Sequence, residues 1–136
     1  MNTAAKRGNA PLVAIVDDDV SVRRSTARLL RLAGLRVEAF ASAEAFLTSG
    51  RMEDVDCLLL DLQMAGMNGL NLQRRLAETE ISVPIIFFSA HSTAEDERHA
   101  VQAGAIQFLR KPVSKESLLT AIRSALKFPR PDKKKF

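Results

Sequence analysis

Five short apolar runs alternate with longer amphipathic stretches along this chain, and almost every junction carries a turn or cap residue. Leu12 to Val16 is the first run. The helix predicted after it sets Val22, Leu29, Leu30 and Ala33 on one face, with Gly34 as a left-handed stop. Leu35 to Phe40 alternates as a second strand, Ser42 caps a short helix containing Phe46 and Leu47, and Gly50 ends it. Val55 to Leu60 is interrupted only by Asp56, a pattern suited to a strand covered on both faces. Residues 69 to 78 predict a third helix, and Val83 to Phe88, with Pro84 near its start, a fourth strand. Ser92-Thr93-Ala94-Glu95 has capping-box spacing and opens a helix to Ala103 with Gly104 as its stop. Ile106 to Leu109 forms the fifth strand; Ser114 caps a last helix through Leu118, Ile122 and Leu126, which Pro129 ends.

Helical crossovers between five strands imply an α/β fold, a parallel sheet with helices on both faces, because the crossovers are right-handed. A length of 136 residues, 46% of them hydrophobic, suits one domain with a real core, expected over residues 12–128 between an N-terminal tail (1–11) and a basic C-terminal tail or linker (129–136). Charge supports that division. Lys6 and Arg7 contribute +2; Arg130 and Lys133 to Lys135, less Asp132, contribute +3; subtracting both from the net +4 leaves −1 for the body. Nucleic-acid binding by the domain is not expected, since such a footprint would cluster Lys and Arg on one folded face. No run approaches the roughly 18 apolar residues of a membrane span, and the N-terminus lacks a signal peptide's apolar segment, so a cytoplasmic location is expected. Cys57, the single cysteine, excludes an internal disulfide and reads as a small buried hydrophobe.

In doubly wound sheets the working site lies outside the carboxyl ends of the strands. Here those ends carry Asp17-Asp18-Asp19, Asp61, Ser89, and Arg110 with Lys111-Pro112. Carboxylates crowded from two strands favour a bound hard cation such as Mg²⁺. A lysine and a hydroxyl nearby offer donors to phosphoryl oxygens, and with charge neutralised one carboxylate can attack phosphorus and become an aspartyl phosphate. Each residue also has a plainer reading. Asp19 can simply cap the first helix, Ser89 is ordinary turn chemistry by itself, Lys111 is by itself a surface lysine, and Phe108 fits a core. His91 and His99 read as exposed.

At these positions the chain resembles the receiver domain of bacterial two-component response regulators, most closely the FixJ-like branch. The resemblance runs from about Leu12 to Leu126. It rests on Ile15-Val16-Asp17-Asp18-Asp19, on Leu59-Leu60-Asp61-Leu62-Gln63-Met64 followed by Gly66-Met67-Asn68-Gly69, on Ser89-Ala90, and on Lys111-Pro112. It implies a flavodoxin-like (βα)5 sheet of order 2-1-3-4-5. It also implies that Asp61 is the phosphoacceptor for a sensor histidine kinase. Mg²⁺, or Mn²⁺, would be held by the Asp18 and Asp61 side chains, the Gln63 backbone carbonyl and, through water, Asp17. Lys111 would pair with Asp61 and then with the phosphoryl group, Ser89 would close onto a phosphoryl oxygen, and Phe108 would turn inward in response. Gln63, Ala90 and His91 fall where the family tunes dephosphorylation. The fourth helix, fifth strand and fifth helix would carry a homodimer or partner contact, and a C-terminal DNA-binding output domain would follow in a longer regulator. Three departures, Ala65 for a usual proline, Val113 for a common phenylalanine and Ser89 for a frequent threonine, touch packing and loop rigidity more than chemistry.

Three other readings compete with this one. Asp17-Asp18-Asp19-Val20-Ser21 matches the Asp-x-Asp signature of a haloacid-dehalogenase-type phosphatase with Asp17 as nucleophile. That family needs a further acidic pair after the lysine, and only Glu116 and Asp132 follow Lys111. A pseudo-receiver would keep the fold and lack phosphorylation, yet every chemical group is present. A flavin-binding flavodoxin fits worse, since the chain has no Trp or Tyr to flank the ring.

Overall fold

The computed structural model describes residues 10–127. Its elements, in chain order, are β1 (Leu12–Val16), α1 (Val20–Leu32), β2 (Arg36–Phe40), α2 (Ala43–Thr48), β3 (Cys57–Asp61), α3 (Gly69–Ala77), β4 (Ile85–Ser89), α4 (Ala94–Gln102), β5 (Gln107–Arg110) and α5 (Lys115–Leu126). All five strands are parallel, in the order β2-β1-β3-β4-β5. The expected doubly wound sheet is therefore present. The tails foreseen at 1–11 and 129–136, and the stop at Pro129, lie almost wholly outside the described residues.

Alternation along the strands divides the core in two. Leu12, Ala14 and Val16 of β1 join Leu58, Leu60 and Phe87 on one face, under Phe46, Leu72, Leu76 and Ala100 from α2, α3 and α4. Val13 and Ile15 join Leu59, Ile86 and Phe88 on the other, under Ala27, Leu30, Leu118 and Ile122 from α1 and α5. Every residue of β1, β3 and β4 is buried, which is why these strands read as unbroken apolar runs rather than as alternating ones. Cys57 is fully buried, and burial pushes its thiol up to about 12, consistent with a packing role.

Several boundaries differ from the sequence expectation, each for a local reason. The α4 box begins one residue later than Ser92: Thr93 Oγ1 accepts from the Asp96 amide at 3.0 Å, and the Thr93 amide donates back to Asp96 Oδ2 at 3.0 Å. Aspartate thus does the work expected of Glu95. Ala33 does not share the buried face of α1; it is the exposed C-cap, and Thr26 and Ala27 are buried with Leu30 instead. Gly34, at φ +92°, is the left-handed stop expected after it. β3 starts at Cys57; Asp56, just before it, meets Leu12 twice, its amide donating to the Leu12 carbonyl at 2.8 Å and its Oδ2 accepting from the Leu12 amide at 2.9 Å. β4 starts at Ile85, after the proline that has no N–H to give. Both strands also run one residue further than expected, so Asp61 and Ser89 are their final residues rather than the first of the loops beyond.

Candidate functional site

Strand register decides which side chains meet. Val16 pairs with Leu60, so the next residues, Asp17 and Asp61, emerge side by side at the carboxyl edge; Asp61 pairs with Phe88 and Ser89 with Arg110 on the remaining strands. Carboxylate oxygens of Asp17, Asp18 and Asp61 all lie within 4.8 Å of one another. Lys111 Nζ stands between two of them, 2.8 Å from Asp17 Oδ2 and 3.6 Å from Asp61 Oδ2, and 4.7 Å from the centre of the Phe88 ring. The expected pairing of Lys111 with Asp61 is thus the longer of its two contacts, and Asp17 is its nearer partner.

The three acids are held differently. Asp17 is fully buried, with Oδ1 accepting from the Asp19 amide at 2.9 Å and Oδ2 from Lys111. Asp18 is exposed, and its Oδ2 accepts from the Ala65 amide at 3.2 Å. Asp61 is 5% exposed, and its Oδ1 has only a 3.3 Å contact from the Gln63 amide. Burial, then the neighbouring Asp17 charge, push the Asp61 carboxyl up to about 6, against the pull of Lys111 and the Gln63 amide. At neutral pH this carboxylate is ionised at a cost that a cation beside it would relieve. Asp19 stands apart from the cluster: it caps α1, accepting from the Ser21 and Val22 amides at 2.8 and 3.2 Å.

Ser89, 1% exposed, donates its hydroxyl to the His91 carbonyl at 3.2 Å. Ala90, His91 and Gln63 are exposed at the rim. Phe108 is half-buried and stacks on Phe87, ring centres 5.7 Å apart and planes 17° apart. Two participants carry no signal in the sequence. Arg23, one turn into α1, donates to the Asp17 carbonyl at 2.9 Å. Glu44, on α2, accepts from the Met67 amide at 3.0 Å. Both read along the chain as ordinary helix-surface charges; Arg23 reaches Asp17 from the first turn of the helix that follows it, whereas Glu44 is brought to this rim only by the tertiary fold.

Clefts open on the described residues, two of them beside the sheet edges. One, of about 450 Å³, is lined by Val22, Leu29, Phe88, Pro112 and Val113 and opens beside Lys111. The other, of about 300 Å³, lies at the amino end of β4, among Gln73, Ile81 and Gly104, away from the carboxylates. Among the described residues no helix is long and apolar enough to cross a membrane.

The chain is similar to known proteins in sequence and in fold. The family model described as the response regulator receiver domain matches residues 13–123. The response regulator protein TmoT of Ectopseudomonas mendocina is 47% identical over 116 residues, 85% of this chain and 53% of that one. The transcriptional regulatory protein FixJ of Rhizobium meliloti is 36% identical over 113 residues, 83% of this chain and 55% of that one. The chain therefore spans about half the length of these curated relatives. Among solved structures, the crystal structure of FixJ-N superposes with a TM-score of 0.80 at 35% identity, covering 89% of this chain and 97% of that one.

Proposed function

Because the chain belongs to the response regulator receiver domain family, we propose that residues 12–128 form a phosphoacceptor signalling domain in which Asp61 takes a phosphoryl group from the phosphohistidine of a sensor histidine kinase. An Asp61 carboxylate oxygen attacks phosphorus, the P–N bond breaks, the electron pair returns to the imidazole, and an acyl phosphate is left on the protein. The observation that carries this reading is the contrast between the two buried acids. Asp17 has both oxygens engaged by an amide and by Lys111, whereas Asp61 is held by one long amide contact and one long ion pair. The freer carboxylate is the better nucleophile, which favours Asp61 over the phosphatase-type assignment to Asp17.

Receiver domains generally use Mg²⁺, and the donor set fits a hard cation: three carboxylates within 4.8 Å, one of them exposed. Asp18, Asp61 and the Gln63 carbonyl would hold it directly and Asp17 through water, Mn²⁺ being the alternative ion; when bound it supplies charge neutralisation at the phosphoryl oxygens. Lys111 contributes the fixed positive charge on the opposite side. Gln63, Ala90 and His91 border the site where a hydrolytic water would enter, and we assign them the tuning of dephosphorylation. The domain is thus a phosphoacceptor that promotes its own phosphorylation and dephosphorylation, not an enzyme with a separate product. We place it in the cytoplasm, with the kinase's phosphodonor domain approaching over the apolar cleft beside Lys111.

Mass spectrometry after incubation with acetyl phosphate and Mg²⁺ should show one added phosphoryl group, mapped to Asp61 and absent from Asp61→Asn. Label on Asp17, or none at all, would sink the assignment.

Readout follows from Ser89 and Phe108. A phosphoryl group adds charge and acceptor oxygens at Asp61, so Ser89 is drawn off the His91 carbonyl toward it. Phe108 on the adjacent strand then turns into the space vacated. That links the site to α4, β5 and α5, where Glu97 of α4 pairs with Arg110 of β5, and where we place a homodimer or partner contact. In a longer regulator the output controlled there would be a C-terminal DNA-binding domain, in keeping with relatives named as transcriptional regulators; a receiver standing alone would act by protein contact, and we assign no nucleic-acid contact to the receiver itself. With beryllofluoride as phosphoryl mimic, NMR shifts should spread over α4, β5 and α5, and Ser89→Ala should shrink them while the mimic still binds. Shifts confined to the neighbours of Asp61 would contradict this coupling, which at the usual allosteric scale is worth about 1–3 kcal/mol.

A further inference from the structure

The loop from Gln63 to Asn68 joins Asp61 to α3 and carries the backbone that faces the acid cluster. Two carboxylates from other elements grip its amides. Asp18 accepts from Ala65, at 3.2 Å, and Glu44 accepts from Met67, at 3.0 Å. Glu44 also lies flat against Gly66: a methyl group added there would meet its two carboxylate oxygens at 3.0 and 3.5 Å. Gly66 itself has φ +78°, a left-handed backbone at the point where Glu44 meets it. The Met67 amide holds the Glu44 carboxyl below its usual range.

These two grips are not equivalent once a cation enters. On the reading above, Asp18 belongs to the acid cluster and would hold the cation as well as the Ala65 amide. Glu44 takes no part in the acid cluster, so its hold on Met67 does not depend on the cation. We propose that Glu44 is a positioning residue for the metal site: by anchoring the Gln63–Asn68 loop from α2, independently of the metal ligands, it keeps the Gln63 carbonyl in place for the cation. This rests on the receiver reading of Asp18, Asp61 and Gln63. It adds a residue outside the strand ends and outside the acidic motif to the machinery of phosphoryl acceptance.

The test uses the full chain labelled with ¹⁵N, titrated with MgCl₂ and followed through the amides of Asp61, Gln63 and Met67. Glu44→Ala should raise the Mg²⁺ dissociation constant about three- to tenfold, below the range seen when a group bonded directly to a metal ligand is removed. Its Met67 amide should exchange with solvent faster than in the unsubstituted chain. Glu44→Gln keeps an accepting oxygen and should restore Mg²⁺ affinity to within about twofold. Melting temperatures without Mg²⁺ should agree among all three proteins, which separates positioning from a general loss of fold. Unchanged affinity in Glu44→Ala overturns the proposal, as does equal weakening in both variants, which would mark bulk charge as the cause. A loss of affinity matched by a lower metal-free melting temperature overturns it as well. If the unsubstituted chain binds no Mg²⁺, the receiver reading falls first and takes this inference with it.

Discussion

Asp18→Ala should cut the rate of Asp61 phosphorylation by at least about 10²-fold and weaken Mg²⁺ binding with it, because it deletes the one exposed carboxylate of the cluster. The neighbouring substitution provides the contrast. Asp19 turns away from the cluster and caps α1 through two amides, so Asp19→Ala should leave phosphorylation and metal affinity within about twofold while lowering stability by about 1 kcal/mol. Acetyl phosphate kinetics over a range of MgCl₂, with urea unfolding of both variants, reads out the two effects separately. Equal kinetic losses would mean that the register of the acidic run at the end of β1 is wrong.

Gly69→Ala should be among the most destabilising single-methyl substitutions in the chain. A Cβ at this position would lie 2.5 Å from the Asp61 carbonyl oxygen, 2.9 Å from Phe87 Cε1 and 3.0 Å from Leu62 Cα. Two of those three atoms are backbone, so neither can rotate aside. The Gly69 amide also donates to the Leu62 carbonyl at 2.9 Å, which ties the start of α3 to the end of β3. Relief requires moving α3 off the sheet or pushing Asp61 out of register, at an expected cost of about 3 kcal/mol or more. Denaturant unfolding measures it; a loss below about 1 kcal/mol would show that α3 slides easily over β3.

The contrast between Asp18 and Gly69 bears on what the sequence discloses. Asp18, Asp61, Ser89 and Lys111 were legible because each follows an apolar run, and the parallel-sheet rule assembles strand ends without coordinates. Gly69 was legible only as the start of a helix; its close approach to Asp61 depends on how α3 sits on β3. Lys111 was expected beside Asp61, yet its nearer partner is Asp17, since strand order gives neighbourhood and not the path of a long side chain. The capping box slipped by one residue because Ser92-Glu95 and Thr93-Asp96 satisfy the same spacing, and only backbone geometry separates them. Glu44 left no trace at all, being a helix-surface charge until the fold delivers it to the rim, and Arg23 left none because a local arginine gives no sign of which carbonyl it will reach.

The ion pair between Asp17 and Lys111 spans 94 positions of the chain. Asp17 and Asp61 are brought together as soon as β1 pairs with β3, whereas among the described residues the cation within ion-pair distance of either arrives with the loop after β5. Chains are synthesised from the N-terminus, and contacts of such separation form late. Pairing β1 with β3 before the C-terminal edge docks would set Asp17 beside Asp61 without that counter-charge, and their repulsion would oppose the pairing. The positive charge beside the acids of this centre is thus supplied by the loop after the last strand to be made, so an incompletely synthesised or C-terminally clipped chain lacks the cation that faces its most buried acid.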